Sequence, residues 1–375
     1  MTINNEHNKL NVPNLRFPEF QGEWAKCTLN EVCKFHNGRA YKQTELLAAG
    51  KYRVLRVGNF FTNDSWYYSN LELEDNKYAQ NGDLLYAWSA SFGPRFWREE
   101  KVIFHYHIWK IDSFKNVDKN FLYHFLDLDS AKIKNEVQGG TMVHITKGDM
   151  EKRTISYPSV PEQRNIARFL FLIDERIATQ NKIIEDLKKL KSAISKKLLC
   201  NDKWTTYKIQ DIAEIGRGRV ISSVEIDRQK HPLYPVYSSQ TSNDGIMGYL
   251  DNYMFDGEYI TWTTDGANAG TVFYRKGKFN CTNVCGTLKI LPKFDCYFVS
   301  LVLQQATQKY VSSNLANPKL MNNTMASIKI RMPNIETQKQ LSKVFKTLDS
   351  CLLVHQRICK MYLSEKQYLL RQMFI

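Results

Sequence analysis

Short apolar runs fill the first third of this 375-residue chain and give way to a long periodic stretch. From Trp24 to about Tyr157, apolar and aromatic runs such as Tyr52–Val57 and Val102–Ile111 are separated by glycine-containing turns. Runs of this length between turn residues are typical of β-strands. From about Lys119 to Val137, apolar residues recur at helical spacing instead. The pattern predicts a β-rich, mixed α/β module that contains one helix.

A long helix is predicted directly after this module. Ser159, with Glu162 three residues later, fits a capping box, and Pro161 falls in the first turn, where a missing N–H costs nothing. From Ile173 onward, apolar residues alternate in steps of four and three, which is the a/d rhythm of a coiled coil. The positions of this seam are Ile173, Ile177, Gln180, Ile184, Leu187, Lys191, Ile194 and Leu198.

The whole pattern then repeats once. A shift of 180 residues carries Trp24 onto Trp204, Gly38 onto Gly218 and Arg39 onto Arg219. A shift of 175 carries Pro158 onto Pro333 and Gln163 onto Gln338. Units of this length exceed the common solenoid periods of about 20 to 50 residues, so the repeat indicates an ancestral duplication. A second β-rich module is therefore predicted from Trp204 to about Met332.

The second helix repeats the seam of the first, including its polar interruptions. Adding 175 to the first seam gives Leu348, Leu352, His355, Cys359, Tyr362, Lys366, Leu369 and Met373. A polar residue at an a or d position sets the register of a coiled coil. We therefore expect the two helices to pack against each other, antiparallel, with Gln180, His355, Lys191 and Lys366 fixing the alignment. The alternative is two unrelated amphipathic helices, each packed on its own module.

These elements define an α+β fold with a pseudo-twofold internal repeat: two β-rich mixed α/β domains separated by two long antiparallel coiled-coil helices. The predicted domains are residues 1–158 and 202–333, and the predicted helices lie in residues 159–201 and 334–375.

The composition points to a polyanionic partner in a reducing compartment. The 52 Lys and Arg residues exceed the 38 acidic residues by 14, which favours phosphate neutralisation and hence nucleic acid. The eight cysteines include no Cys-x-x-Cys pair and no secreted-type framework, which is typical of reduced thiols. The N-terminus lacks an apolar signal core and no run of 18 apolar residues occurs, so we expect a cytoplasmic protein.

Motifs for catalysis are weak. No Pro-Pro pair exists for an amino-methyltransferase motif, and Ile221 occupies the third glycine position of the Gly216–Ile221 loop. Asp64 with Asp75–Lys77 matches a metal-dependent nuclease only loosely. His105 and His107 could place two imidazoles on one face of a strand, but no third ligand is evident. We predict no catalytic residue, no metal site and no cofactor bound by this chain.

Side chains suited to DNA contacts are plentiful in both modules. Arginine and lysine pair with guanine edges, asparagine and glutamine pair with adenine, and other polar groups hold phosphates. For the aromatic residues among them, core packing is the alternative. The candidates are Arg39, Trp88, Ser89, Arg95, Arg219, Ser239, Gln240, Trp262, Thr263, Thr264, Asn268 and Lys319.

The chain resembles the specificity subunit of type I restriction-modification systems over nearly its whole length. The resemblance is carried by Pro161-Glu162-Gln163-Arg164 at the start of the first long helix, by Asn81–Ser89, and by the runs Tyr234–Gln240, Gly257–Gly266 and Asn317–Met321. The start of the second helix departs from the family pattern: Asn334-Ile335-Glu336-Thr337-Gln338 stands where Pro-Glu-Gln is expected, which keeps Gln338 but weakens the cap.

The resemblance implies a non-catalytic subunit with two target recognition domains, each of which reads one half of a split DNA site. It also implies that the helices set the spacing and dock two methyltransferase subunits. These would bring S-adenosylmethionine and methylate adenine N6, while separate motor-nuclease subunits would use ATP and Mg²⁺. Gln163, Gln338 and the seam residues Ile173 to Lys191 and Leu348 to Lys366 are the candidates for helix register and subunit docking.

Two other classes of function remain open from the residues alone. One is a self-contained DNA-modifying or DNA-cleaving enzyme, and the other is a coiled-coil scaffold without sequence-specific DNA binding. The bases of either half-site cannot be predicted, because specificity also depends on loop geometry and on DNA deformation.

Overall fold

The computed structural model describes residues 11–61, 63–89, 92–136, 144–199, 202–240, 242–312 and 317–375. It divides into two compact units. The first unit consists of residues 1–181 together with 357–375, and the second consists of residues 182–356. Each unit therefore combines one β-rich module with parts of both long helices. In the described part of the chain, no helix has the length and apolar character needed to cross a membrane.

In the part of the first module that the structure describes, three small sheets and four α-helices precede the first long helix. Its strands are β1 (Ala25–Thr28), β2 (Lys34–Asn37), β3 (Tyr52–Leu55), β4 (Tyr67–Ser69), β5 (Tyr78–Ala79), β6 (Leu84–Ala87), β7 (Gly93–Phe96), β8 (Val102–Phe104), β9 (Ile108–Asp112) and β10 (Thr154–Tyr157). Its helices are α1 (Leu29–Val32), α2 (Val57–Phe61), α3 (Lys119–Glu136) and α4 (Lys147–Lys152), and the long helix α5 spans Val160–Leu198.

The second module follows the same plan. Its strands are β11 (Thr205–Lys208), β12 (Ala213–Arg217), β13 (Tyr234–Tyr237), β14 (Ile246–Leu250), β15 (Glu258–Thr263), β16 (Val272–Lys276), β17 (Asn280–Cys281), β18 (Cys285–Ile290) and β19 (Lys329–Met332). Its helices are α6 (Ser223–Asp227), α7 (Cys296–Ala306) and α8 (Asn322–Ser327), and the second long helix α9 spans Ile335–Met373.

Strand order shows the duplication directly. In each module the first and last strands pair as a two-stranded antiparallel sheet, β1 with β10 and β11 with β19. The four-stranded antiparallel sheets have the orders β2-β9-β6-β7 and β12-β18-β15-β16. The third sheets, β4-β3-β8-β5 and β14-β13-β17, each contain one parallel pair. The predicted fold class, with two mixed modules and two long helices, is confirmed.

Close packing explains why two of the repeated residues persist. At Gly38 a Cβ atom would lie 2.3 Å from the carbonyl oxygen of His105, and at Gly218 it would lie 2.1 Å from that of Cys281. Only glycine allows so close an approach of two backbone segments.

The repeated tryptophans also make equivalent contacts. Trp24 packs edge-on against Phe121 of α3, with ring centres 6.0 Å apart, and Trp204 packs against Phe298 of α7, with ring centres 5.9 Å apart.

One predicted strand is wrong. Val102–Ile111 is divided into β8 and β9, and His105, Tyr106 and His107 occupy the turn between them. The run of apolar and aromatic residues continues across the turn because Tyr106 and His107 both pack against the ring of Trp88. The two imidazoles therefore lie at the end of a sheet and not within a strand.

The long helices pair within each unit. In the first unit Ile173 and Ile177 of α5 share a core with Tyr362, Leu369 and Met373 of α9. Asp174 lies opposite Lys366 and Asn181 opposite Cys359, so the residue numbers run in opposite directions and the predicted antiparallel arrangement is confirmed. In the second unit Ile194 of α5 shares a core with Leu341, Phe345 and Leu348 of α9. The seam prediction fails at its last position, where Leu198 is exposed and Leu199 is buried.

The repeated lysines of the seam form equivalent ion pairs. Lys366 bonds Asp174 at 2.8 Å and Asp127 at 3.1 Å in the first unit, and Lys191 bonds Asp349 in the second. The partners Asp174 and Asp349 are themselves related by the shift of 175 residues. Half-buried ammonium groups need such partners, because an unpaired charge loses its hydration. The ion pairs give a physical basis for the predicted role of these lysines in helix register.

A buried glutamine joins each long helix to its own module. Gln163 accepts a hydrogen bond from the backbone N–H of Asp118 (2.7 Å) and donates to the carbonyls of Pro158 (2.8 Å) and Asn116 (2.9 Å). Asp118 in turn caps the first turn of α3. Gln163 is fully buried. Its amide therefore ties the start of α5 to the start of α3.

The second unit repeats this clamp with equivalent atoms. Gln338 accepts from the N–H of Asp295 (3.0 Å) and donates to the carbonyl of Pro333 (2.8 Å), while Asp295 caps α7. The altered start of α9 is nevertheless capped, since Asn334 accepts from the N–H of Thr337 at 2.9 Å. The expected weakening of this cap is therefore not seen.

The predicted capping box at the start of α5 also differs from the structure. Both carboxylate oxygens of Glu162 bond Arg16, at 2.7 and 2.8 Å, and Glu162 is buried. A buried carboxylate gains more from a bidentate arginine than from one backbone N–H at a helix end. This Arg16–Glu162 pair attaches the segment before β1 to the helix.

Replacing the clamp glutamine should destabilise the module to which it belongs. We expect Gln163→Leu to lower the free energy of unfolding by about 3 kcal/mol, since the Asp118 N–H and two carbonyls would be left buried without partners. Denaturant unfolding combined with hydrogen exchange at the first turn of α3 measures this loss. Gln356→Leu, an exposed glutamine of α9, is the control. A Gln163→Leu protein within about 0.5 kcal/mol of that control would contradict the clamp.

Candidate DNA interface

The repeated arginines Arg39 and Arg219 are engaged by glutamates of their own modules. Arg39 forms two bonds to Glu45, at 2.8 and 3.1 Å, and Arg219 binds both carboxylate oxygens of Glu225. Glu45 and Glu225 are also 180 residues apart. These hydrogen bonds raise the pKa of both guanidinium groups. Both arginines are partly exposed, so each keeps a solvent-facing side while the glutamate fixes its position, and their contact with DNA stays a prediction.

Trp88 lies in an aromatic and histidine cluster at one end of the first module. Its indole N–H donates to the carbonyl of Tyr106 at 2.8 Å, and its ring centre lies 4.9 Å from that of His107 and 6.1 Å from that of His144. Ser89 bridges to His144 through the backbone and is itself buried. Ser89 therefore supports this cluster. The prediction that its side chain contacts DNA is wrong, because the side chain is buried.

Burial favours the neutral form of two imidazoles here, His105 and His107. It lowers the pKa of His105 to about 4, with further lowering by His107 and Arg56. Burial and the neighbouring His144 also lower the pKa of His107. Neutral imidazoles hydrogen-bond base edges without attracting phosphates strongly. Among the described residues, no group of three or more His, Cys, Asp or Glu side chains is arranged to hold a metal ion.

The structure separates Arg95 from this cluster. In the β6–β7 hairpin, Ala87 pairs with Gly93 next to Trp88, whereas Leu84 pairs with Phe96 at the other end. Arg95 lies towards that other end, with its guanidinium 4.5 Å from the ring centre of Phe61. Arg95 and Trp88 therefore lie towards opposite ends of this hairpin.

Three candidates in the second module are core residues. Trp262 is fully buried, and its indole N–H donates to the carbonyl of Leu320 at 2.9 Å. A Cβ atom on Gly286 would lie 2.1 Å from the Trp262 ring, so glycine is required there. Thr263 and Thr264 are buried as well. The predicted DNA contacts of these three side chains are corrected, because none reaches the surface.

The other candidates of the second module come together on neighbouring loops. The amide of Asn268 donates to the carbonyl of Ser239 at 3.3 Å, and that of Gln240 donates to the carbonyl of Ile246. Lys319 lies 3.9 Å from Asp265. The loops at 238–240, 264–270 and 317–320 thus meet at one edge of the module, where the predicted residues Ser239, Gln240, Asn268 and Lys319 are half-buried.

Sequence reasoning missed several polar groups at this edge. Arg217 donates to the carbonyl of Asn283 and to the hydroxyl of Thr264 (3.1 Å), and Asn317 donates to Asp265 at 2.7 Å. Within the Gly216–Ile221 segment the sequence pointed to Arg219 as a DNA candidate but not to Arg217. A strand with a glycine on either side of an arginine is the signal that could have found it.

The docking candidates are not surface residues. Gln163 and Gln338 are buried in the clamps, and Ile173 and Cys359 are buried in the seam. The other seam candidates are half-buried: Ile177, Gln180, Ile184, Leu187, Lys191, Leu348, Leu352, His355, Tyr362 and Lys366. The prediction that Gln163 and Gln338 contact another subunit directly is wrong, because both side chains are buried and their polar atoms form hydrogen bonds within their own units.

Comparison with known proteins matches this architecture. The family model for the type I restriction modification DNA specificity domain matches residues 21–189 and again residues 201–360. A Mycoplasma pneumoniae protein named as a type I specificity subunit, S.MpnORF201P, is 38% identical over 198 residues, which cover 52% of this chain and 82% of that protein. The specificity subunit of the type I restriction enzyme MpnII from the same organism is 43% identical over 145 residues, covering 38% and 43%.

Solved structures show the same fold. The crystal structure of a type I restriction-modification S subunit from M. genitalium aligns over 97% of this chain and 99% of that one, with a TM-score of 0.69 and 17% identity. A chain from a structural study of assembly and conformational transition of the type I system aligns over 92% and 96%, with a TM-score of 0.54 and 12% identity.

The chain has two modules of like fold and two long helices that pair. The first module has a tryptophan and histidine cluster at one end, and the second has polar loops at one edge. This is the architecture of a duplicated DNA-recognition protein. The chain belongs to the type I restriction-modification specificity subunit family. The resemblance stated from the sequence is therefore confirmed, and the comparisons give no support to a self-contained enzyme or to a scaffold without DNA recognition.

Two substitutions separate the surface candidates from the corrected ones. Lys319→Gln should weaken binding to all duplexes alike. It should also reduce the slope of log K against log salt concentration by about one, the change expected for one lost phosphate contact.

Trp262→Phe should leave DNA preference unchanged but lower the free energy of unfolding by at least about 2 kcal/mol, since the Leu320 carbonyl loses its donor. Fluorescence anisotropy across salt concentrations and denaturant unfolding measure the two effects. An altered DNA preference in the Trp262 variant would restore that residue as a reader.

Proposed function

We propose that this chain is the non-catalytic specificity subunit of a type I complex, in which residues 1–158 read one half of a bipartite target and residues 202–333 read the other. The observation that carries the proposal is repeated topology with divergent edges. Both modules share strand order, clamp and arginine–glutamate pair. Their edges differ: a tryptophan and histidine cluster in the first, amide and hydroxyl loops in the second. Divergent edges on one scaffold suit two different sequences.

The partners follow from this assignment. Two modification subunits would bring S-adenosylmethionine and methylate adenine N6, and motor-nuclease subunits would bring ATP and Mg²⁺ in the cytoplasm. The methylated base must leave the duplex stack. A recognition subunit that grips sequence on both sides would hold the DNA while the base is flipped, and α5 and α9 would set the distance between the half-sites.

We further propose that the modification subunits dock on a pair of basic grooves, since the seam itself is occupied. In the first unit a cavity of about 900 Å³ lies between α5, α3 and β7. Arg164 and Arg168 project into it from one face of α5, joined by Arg95 and Arg98. Tyr123 stacks between Phe96 and Phe171, at 5.1 and 5.5 Å, and forms an aromatic wall.

A smaller groove occupies the equivalent place in the second unit. It measures about 470 Å³ and is lined by Lys339, Lys343 and Lys346 of α9 beside Asp295. The basic residues correspond under the same repeat, because 339 − 164 and 343 − 168 both equal 175. Other residues that line both grooves at equivalent positions are Ala167 and Ser342, Phe171 and Lys346, Leu172 and Thr347, and Glu175 and Ser350.

Two equivalent basic grooves suit two copies of one acidic partner surface. DNA is a less suitable occupant of the first groove, because the groove lies at the Phe96 end of the β6–β7 hairpin. Trp88 follows Ala87 at the other end, four residue steps or about 13 Å along the strand from Leu84, the partner of Phe96. Carboxylates on a protein partner can pair with the arginine forks, whose bidentate geometry favours them.

Mapping of methylated adenine across a genome, with and without this gene, tests the assignment. Deletion should abolish a split motif, and exchange of residues 1–158 for those of another family member should change one half of it. The second half, read by residues 202–333, is expected to stay the same. A change in both halves would refute independent reading.

Charge reversal in the grooves tests the docking surface. We expect Arg164→Glu with Arg168→Glu to release one modification subunit from the complex, and Lys339→Glu with Lys343→Glu to release the other, because like charges would face each other. The mass of the purified complex, measured by analytical ultracentrifugation, reports the loss. Lys196→Glu with Lys197→Glu, exposed on α5 outside the groove, is the control. Full assembly with weakened DNA binding would instead assign the grooves to DNA.

A further inference from the structure

A loop in the second module has an uncommon backbone conformation. Asn243, Asp244 and Gly245 follow one another with φ of 50°, 55° and 83°. Left-handed conformations are uncommon for residues other than glycine, and two in succession persist only where neighbouring groups impose them. Ser242, Asn243 and Asp244 are exposed. The loop is thus fixed in shape and open to solvent.

A buried arginine imposes this shape. Arg275 of β16 is 4% exposed, and its guanidinium donates to the carboxylate and to the backbone carbonyl of Asp244, both at 2.9 Å. Its Nε–H donates to the hydroxyl of Thr261 at 3.3 Å. Two bonds from one rigid fork to one residue fix both the side chain and the backbone of Asp244.

Aromatic rings hold the arginine itself. The Arg275 guanidinium lies 3.6 Å from the ring centre of Tyr237 and 4.4 Å from that of Phe273. At Gly245 a Cβ atom would lie 3.2 Å from the Arg275 Nη2. The arginine is therefore fixed before any DNA arrives, and the glycine leaves room for it.

Charge explains why an arginine is suited to this position. The Asp244 side chain is 70% exposed. A carboxylate facing DNA repels phosphates unless a cation neutralises it. Arg275 supplies that cation from the buried side of the loop and leaves its solvent-facing side open. Asparagine can pair with an adenine edge, and a carboxylate can accept a hydrogen bond from cytosine N4.

The loop also adjoins the candidate edge of the module. Gln240 donates to the carbonyl of Ile246 directly after the loop, and Asn268 donates to the carbonyl of Ser239 just before it. We propose that residues 242–245 form a base-reading loop of the second module, with Asn243 as the reader and Arg275 as the positioning residue. This inference rests on the proposed function, in which that module reads one half-site.

Three substitutions in the intact complex test the loop. Asn243→Gly keeps the left-handed backbone but removes the side chain, Asp244→Asn removes the charge from the clamp, and Arg275→Lys removes the fork. Lys276→Gln is the control, because it changes a neighbouring exposed charge that pairs with Glu258 at 3.5 Å. Methylated-adenine mapping reads the motif of each variant. Competition binding compares the cognate duplex with duplexes altered in one half.

We expect all three variants to relax the second half of the motif and leave the first half unchanged. The preference for the cognate second half should fall about tenfold, the size of one lost base contact, with non-specific affinity unchanged. The control should behave as the wild-type protein. Asn243→Gly alters an exposed residue and keeps its left-handed backbone, so its thermal unfolding should match the wild type. Asp244→Asn and Arg275→Lys both break the pair at the buried guanidinium, so these two variants should be less stable.

Two failures can be told apart. If the wild-type chain directs a split motif and Asn243→Gly and Asp244→Asn leave its second half intact, the loop does not read bases and the inference is overturned. An effect of Arg275→Lys alone would assign that arginine to core packing and would also overturn it. If the wild-type chain directs no split motif, the proposed function fails first, and the loop inference fails with it.

Discussion

The buried glutamine clamp is the interaction on which the rest of each unit depends. Gln163 and Gln338 bond the start of a long helix to the N-terminal cap of the helix inside the module. An amide has both a donor and an acceptor, and here both are used against backbone groups that would otherwise be buried without partners. The clamp therefore fixes the point at which α5 and α9 leave their modules, and the apolar residues of each helix pack against the module core beyond it. A flexible junction would leave the reading edge without a defined position relative to its helix.

The two ion pairs of the seam show what the duplication preserved. Lys366 with Asp174 and Lys191 with Asp349 are equivalent pairs, and each joins α5 to α9 within one unit. Burial raises the pKa of Asp174, and the bond to Lys366 offsets only part of this rise. Such pairs add little net stability compared with apolar contacts, but a mismatched register would leave charges unpaired at greater cost. The cost of a mismatched register accounts for the presence of two lysines in a mostly apolar seam.

Much of this fold was predictable from periodicity and repeats, and the site was less so. The steps of four and three predicted both long helices, and the matching interruptions predicted their pairing, because helix packing depends on local spacing. The repeated Gly38 and Gly218 marked a close approach whose partner strand no spacing could identify. DNA contacts were predicted for Trp262, Thr263 and Thr264 because residue type alone does not distinguish a buried side chain from an exposed one. Arg275 was missed because its role depends on a loop 31 residues away in the chain.

Net charge is a weaker guide to the DNA interface than the pairing of individual arginines. The chain has 14 more basic than acidic residues, yet Arg39, Arg219 and Arg275 each bond a carboxylate of their own module. Paired arginines contribute position rather than free charge, since the glutamate or aspartate fixes the guanidinium before DNA binds. Preorganised groups lose less entropy on binding and reject a wrong base more strongly than flexible ones. Under the proposed function, the free excess of charge would supply affinity for any duplex, and groups held in position by such pairs would supply the discrimination.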